Sequence, residues 1–275
     1  MACGRGTTLS QPEAGAAPGV RVERIAGAAL IVIDRPQAQN AISRPTMAEL
    51  GAALDEVAAD PEIRVVALRG QGERVFVSGG DLKELASIRT EDEAQAMAMT
   101  MRTLLDRVAS LPVPVVAAIN GHAYGGGCEV AVACDFRLAA ADVKLAFNQV
   151  DLAIMPAWGG IERLQAIVGR GRALYLTTTG LPVDAPTAAA WGLVEEVVPR
   201  ASFDDRLMEL LGRMARAPRG ALVGIKAAAD AACPAARPEL AAGATASFAR
   251  TWVADAHWSA VAEMEDRRRR ARATR

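Results

Sequence analysis

The sequence predicts an α/β fold that closes with a helical C-terminal region. Short apolar runs of strand length alternate with helix-length stretches. Two glycine-rich loops each follow an apolar run and precede a helical pattern. From about Ala201 the chain reads as helical to its end. The length of 275 residues fits one large domain or a domain with an appendage.

The elements follow in chain order. Residues 1–19 are rich in Gly, Ala, Pro and Thr without periodicity, and are expected to form a disordered N-terminal tail. RVERIAGAALIVIDRP carries two apolar runs around Ala26-Gly27, a hairpin signal, and Pro36 stops the second. Ser43-Arg44-Pro45 opens a helix, with Ser as cap and Pro in the first turn. Met47, Leu50, Leu54 and Val57 then recur at helical spacing. Val65 to Leu68 reads as a buried strand. FVSGGDLKEL follows, and then a helix from about Glu91 to Ser110. VPVVAAING is the next strand, NGHAYGGGCEV the second glycine loop, and Asp135 to Ala139 a further strand. The expected division is a core over residues 20–200 that carries the site, then a helical region over 201–275.

Composition removes several function classes. Hydrophobic residues make up 51% and charged residues 23%, which is globular. The net charge of −1 argues against a nucleic-acid partner, which would call for a basic excess. Cys3, Cys128, Cys134 and Cys233 form no CxxC pair and no metal-like spacing, so no metal is expected. They read as reduced thiols of a cytoplasmic protein. The N-terminus lacks the apolar core of a signal peptide, and no run is long enough to span a bilayer.

The two loops carry the chemistry. A helix N-terminus offers free N–H groups and a partial positive charge. Glycine lets a ligand atom approach them. Two such loops could give two donors to one oxygen, an oxyanion hole for a thioester carbonyl that becomes an enolate. No GxxxxGK[ST] occurs, and GGGCEV does not fit GxGxxG. His122, His257, Ser78 and Cys128 lack the neighbours of a catalytic triad. Glu129 sits one turn into the helix after the second loop, where a general acid/base would work.

FVSGGDLKEL, NGHAYGGGCE, RPQAQNAIS and PAWGGIERLQAIVGRGRA together resemble the crotonase superfamily, the enoyl-CoA hydratase/isomerase family. The likeness runs from about Val20 to Arg268. It implies a spiral of ββα repeats with a C-terminal helical trimerisation region. It implies a homotrimer, or a hexamer built as a dimer of trimers, acting on an acyl-CoA thioester. Coenzyme A would be part of the substrate, with no separate cofactor. By position, the oxyanion donors would be Gly80 and Gly126. Ala38 and the turn Gly80, Asp81, Leu82 and Lys83 would meet coenzyme A.

The resemblance also locates departures. Hydratases of the family use two glutamates around one water. Glu129 matches the first, but Gln149 stands at the second and does not titrate near neutrality. Asp151 would face the same way as Gln149 if the segment were extended. MPAWGG, with Trp158, is similar to a segment of ethylmalonyl-CoA decarboxylase-like members. Tyr124 adds a polar group near the expected hole. Near the end, Ala262-Glu263-Met264-Glu265-Asp266 replaces a motif in which an aromatic and a lysine hold coenzyme A, which leaves Lys83 or Arg267 as candidate phosphate anchors. Hydration or isomerisation of an enoyl-CoA leads. Decarboxylation of a malonyl-type thioester and a non-catalytic acyl-CoA carrier remain open.

Overall fold

The computed structural model describes the backbone of residues 19–232 and 238–273. The expected N-terminal tail, apart from Gly19, lies outside the described residues, as do Cys3 and Cys233. The chain opens with an antiparallel hairpin, β1 (Val20–Ile25) and β2 (Ala28–Ile33), turning at Ala26-Gly27. Helix α1 (Arg44–Ala59) starts where Ser43 Oγ accepts from Thr46 N–H, with Pro45 in its first turn. Strands β3 (Val65–Gly70) and β4 (Val75–Val77) come next. Helix α2 (Glu91–Ala109) begins at a capping box formed by Thr90 and Glu93.

The pattern then recurs. Strands β5 (Val115–Ile119) and β6 (His122–Tyr124) precede α3 (Gly126–Ala133). Strands β7 (Phe136–Ala140) and β8 (Lys144–Ala146) precede α4 (Gly160–Thr179), which is kinked at Gly169. β9 (Val183–Asp184), α5 (Ala185–Ala190) and β10 (Glu196–Val198) complete the core. Two sheets result, in the orders β1-β2-β3-β5-β7-β10 and β4-β6-β8-β9. After the β1–β2 hairpin, which stays in one sheet, the pairs β3–β4, β5–β6 and β7–β8 each give one strand to each sheet, and the helix carries the chain to the next turn of the spiral. β2 and β5 are buried along their whole length, which is why they read as continuous apolar runs.

Four helices follow: α6 (Phe203–Ala215), α7 (Arg219–Ala232), α8 (Pro238–Val253) and α9 (Asp255–Ala273). They fold back on the spiral. Lys226 on α7 pairs with Asp135 before β7 at 2.8 Å. Helix α8 packs along α2, and α9 packs on the 3-10 turn Asn148–Leu152.

One expectation is corrected. The first glycine loop does not run into an α-helix. A turn and a short 3-10 helix, Leu85–Ser87, follow it, so no long-helix dipole stands behind Gly80. The second loop does open a helix, and its glycines have separate causes. Gly125 takes φ +51° and ψ −116° as cap of α3. At Gly126 a Cβ would lie 2.2 Å from the Trp158 ring. At Gly127 it would lie 1.8 Å from the Val77 carbonyl oxygen on β4. Gly127 is thus a packing residue between α3 and β4. Gly127→Ala is expected to destabilise the fold by about 3 kcal/mol or more, because backbone must move. Chemical denaturation of the purified variant checks this.

Candidate active site

A cavity of about 380 Å³ lies where the two glycine loops meet. A Cβ on Gly79 would sit 3.1 Å from the Gly126 nitrogen, so the loops touch. Ile42 N–H donates to the Gly79 carbonyl at 2.8 Å and Asp81 N–H to the Ile42 carbonyl at 2.9 Å, which pins Gly80 between them. Among the described residues, no hydrogen bond claims the N–H of Gly80 or Gly126. Two unclaimed N–H groups on touching loops are what an oxyanion would need.

Glu129 lines this cavity from the first turn of α3 and is 2% exposed. Its Oε1 accepts from Trp158 N–H at 2.8 Å and from Gly160 N–H at 3.0 Å. The second donor is the open end of α4, whose dipole favours a carboxylate there. Gln149 Nε2 donates to Oε2 at 3.0 Å. Burial disfavours the anion, while these three donors and the Arg163 guanidinium favour it. Burial prevails, and the carboxyl is raised to about 7. Such a group both gives and takes a proton near neutrality. The Gln149 amide oxygen is itself buried without a partner.

Most of the remaining side chains on the wall are apolar, with Gln39, Ser78, Asn148 and Arg268 among them. Leu82, Leu85 and Met97 come from the first half of the chain, and Ile154, Met155 and Trp158 from the segment before α4. Phe248 and Trp252 of α8 and Met264 and Arg268 of α9 close it from the C-terminal region. Trp158 approaches both glycines, since Cβ atoms built on Gly126 and Gly80 would lie 2.2 and 3.8 Å from its ring.

Comparison with known proteins agrees with this arrangement. The family model for enoyl-CoA hydratase/isomerase matches residues 23–268. The chain belongs to the enoyl-CoA hydratase/isomerase family. A short-chain-enoyl-CoA hydratase of Clostridium acetobutylicum is 34% identical over 71% of this chain and 74% of its own length. An enoyl-CoA isomerase/hydratase of Mycosarcoma maydis is 37% identical over 78% of this chain and 79% of its own. The crystal structure of an enoyl-CoA hydratase from Bacillus anthracis superposes with a TM-score of 0.74 at 36% identity, covering 77% of this chain and 82% of that one. The fold is the crotonase fold, and the chain is an enzyme of this family.

Several expected site residues of this family member converge and others do not. Gly80, Leu82, Tyr124, Gly126, Glu129, Gln149 and Trp158 all line the cavity. Tyr124 is half-buried, which raises its phenol above the usual range. Ala38 does not line it; its neighbour Gln39 does. Asp81 turns its carboxylate away to Arg35, at 2.9 Å. Lys83 is exposed and off the wall, and Arg268, not Arg267, reaches the cavity. The condition set for Asp151 is not met: Asn148–Leu152 is a 3-10 turn, not an extended strand, and Asp151 is exposed while Gln149 is buried, so Asp151 is not a site residue. His122 is structural, its Nδ1 accepting from Lys144 N–H at 3.0 Å.

Sequence reasoning missed the helical lid of Phe248, Trp252, Met264 and Arg268. Trp252 packs the helical region, donating from Nε1 to the Ile88 carbonyl at 3.3 Å, and it also walls the cavity. The turn Trp158–Gly160 that grips Glu129 was also missed as a holder. Its signal was the GG pair directly after Trp158 in PAWGG.

The Glu129 carboxyl sets a pH dependence of stability. Its folded value of about 7 exceeds the ordinary 4.5 of an unfolded glutamate. The folded chain therefore binds this proton more tightly. That stabilisation is complete below the unfolded value and is lost as pH rises through about 7. The gap corresponds to on the order of 3 kcal/mol. Wild-type Tm is expected to fall between about pH 4.5 and about pH 7.5 relative to Glu129→Gln, in which the group cannot titrate. Scanning calorimetry of both proteins across that range checks it.

Proposed function

We propose that this protein acts on an acyl-CoA thioester, holding its enolate at Gly80 and Gly126 and exchanging a proton through Glu129. The reaction is hydration of a 2-enoyl-CoA or migration of its double bond. Glu129 carries this reading: it is buried at the junction of both loops and titrates near neutrality. A single carboxyl suffices for isomerisation, since it removes a proton from one carbon and returns it at another. In hydration the same carboxyl would take the water's proton, with Gln149 holding the water through its unpartnered amide oxygen. Coenzyme A enters as part of the substrate, and no separate cofactor is required.

A malonyl-type substrate suits the cavity less well. Its carboxylate would lie beside Glu129, and Arg268 is the one cationic side chain on the described wall. Like charges in a buried site are costly.

The reading includes self-association as a homotrimer or a dimer of trimers. Val150 and Leu181 are exposed beside Gly180, and Leu174 and Tyr175 of α4 are exposed as well, so apolar side chains are available for such contacts. It also includes a cytoplasmic location, for which the buried free thiols Cys128 and Cys134 speak. No described helix is long and apolar enough to cross a membrane, and no described cluster of His, Cys, Asp or Glu could hold a metal.

The test is one assay with crotonyl-CoA, a 3-enoyl-CoA and ethylmalonyl-CoA side by side, read by mass spectrometry and by chromatographic separation of isomers. Gain of water or double-bond migration is expected. Loss of CO2 from ethylmalonyl-CoA alone would replace the reading with decarboxylation. Binding of every ester without turnover would make the protein a carrier.

A further inference from the structure

Glu129 is gripped by a turn with little stiffness of its own. Gly159 and Gly160 are adjacent, and Gly159 takes φ +86°. Fixing a glycine costs more backbone freedom than fixing any other residue. Yet Trp158 N–H and Gly160 N–H must both stay aimed at Oε1. The peptide between those two donors is held by Arg163. Its Nη1 donates to the Trp158 carbonyl at 2.9 Å. Its Nη2 is ion-paired with Asp106 on α2. A Cβ on Gly159 would lie 2.3 Å from that Nη1, so the guanidinium occupies the space a side chain would need. The turn favours glycine through its positive φ, and a side chain at residue 159 would also push the guanidinium off the Trp158 carbonyl.

The charges around Arg163 come from three helices. Asp106 and Arg102 face it from α2, Glu162 from α4 itself and Glu129 from α3. Arg102 is 3% exposed and pairs with Glu162 at 2.9 Å, a second tie between α2 and α4. The guanidinium is therefore anchored on one helix, capped onto one carbonyl, and two bonds of contact from the carboxylate.

We propose that Arg163 is a positioning residue for Glu129: it braces the Trp158–Gly160 turn against α2, so that two N–H groups hold the carboxylate in the orientation for proton exchange. The inference rests on the proposed role of Glu129 and deepens it. The positive charge also supports the anion against burial. Its removal raises the carboxyl further, because the ionised form loses a partner while the neutral form does not.

The test uses Arg163→Gln and Arg163→Lys in the full chain, with Glu129→Gln as reference. Two readouts are needed: kcat and KM against pH with an acyl-CoA that wild type turns over, and infrared titration of the buried carboxyl band that Glu129→Gln lacks. Arg163→Gln is expected to lose ~10²-fold in kcat through misplacement, with KM little changed. Its carboxyl midpoint moves up, so the loss is larger below neutrality than above it. Arg163→Lys keeps the charge and returns the midpoint, but a single ammonium cannot span carbonyl and carboxylate as a fork does, so part of the kcat loss remains. An unmoved midpoint in Arg163→Gln, or an equal loss of kcat at every pH with lowered Tm, overturns the proposal. Should Arg163→Gln not fold, wild-type kcat in Arg163→Lys overturns it. The infrared readout needs no substrate, so it judges Arg163 even if no acyl-CoA is turned over, a result that would instead remove the proposed function.

Discussion

Replacing Glu129 by glutamine is expected to lower kcat by ~10²–10⁴-fold on whichever acyl-CoA the wild type converts, as loss of a general acid/base does. KM should change little. The substitution is nearly isosteric, and its amide oxygen can still accept from Trp158 N–H and Gly160 N–H. Gln149 can turn its own amide to meet the new one. The fold therefore survives, and the loss isolates the proton. Steady-state kinetics with the folded variant is the check. Unchanged turnover of every active acyl-CoA would remove Glu129 from the mechanism.

Gly126→Ala is expected to cost ~10²–10³-fold in kcat, the range for loss of one oxyanion donor. The cause is indirect. The N–H is still present, but the new Cβ would lie 2.2 Å from the Trp158 ring, which is 6% exposed and has little room to retreat. Either the loop moves and the donor is lost, or Trp158 moves and drags the backbone N–H that holds Glu129. Kinetics of the double mutant Gly126→Ala/Trp158→Ala separates steric from chemical loss. Removing the ring makes room for the Cβ, so the two substitutions should be strongly non-additive and part of the rate should return. Simple additivity would show that the collision is not the cause.

The parts of the fold legible in the sequence were those that local chemistry fixes. Ser43 and Pro45 start α1 because a hydroxyl cap and a ring-locked φ act within one turn. The hairpin at Ala26-Gly27 and the buried strands follow from turn chemistry and apolar runs alone. Glu129 was legible because it stands on the same short helix as the glycines it serves. What was not legible depends on contacts distant in sequence. The hold on Glu129 comes from a turn some thirty residues on, and its brace from Arg163 and Asp106, which are 57 residues apart. The lid of Phe248 and Trp252 depends on how α8 lies along α2, which no pattern within α8 declares. The place of Asp151 hung on backbone period: residues two apart share a face in a strand, but not in the 3-10 turn that carries them. Lys83 and Arg267 were weighed by charge and position, while Arg268 reaches the cavity because α9 presents that side of the helix.

The central claim is that an acyl-CoA enolate forms between Gly80 and Gly126 with its proton carried by Glu129. Exchange of solvent deuterium into the α-carbon of a saturated acyl-CoA, followed by NMR, observes that step without requiring the full reaction. The account predicts catalysed exchange by the wild type, little in Glu129→Gln, and a pH dependence with its midpoint at the value of about 7 held by the buried carboxyl. Equal exchange by wild type and Glu129→Gln, or turnover of an enoyl-CoA by Glu129→Gln at the wild-type rate, would contradict it.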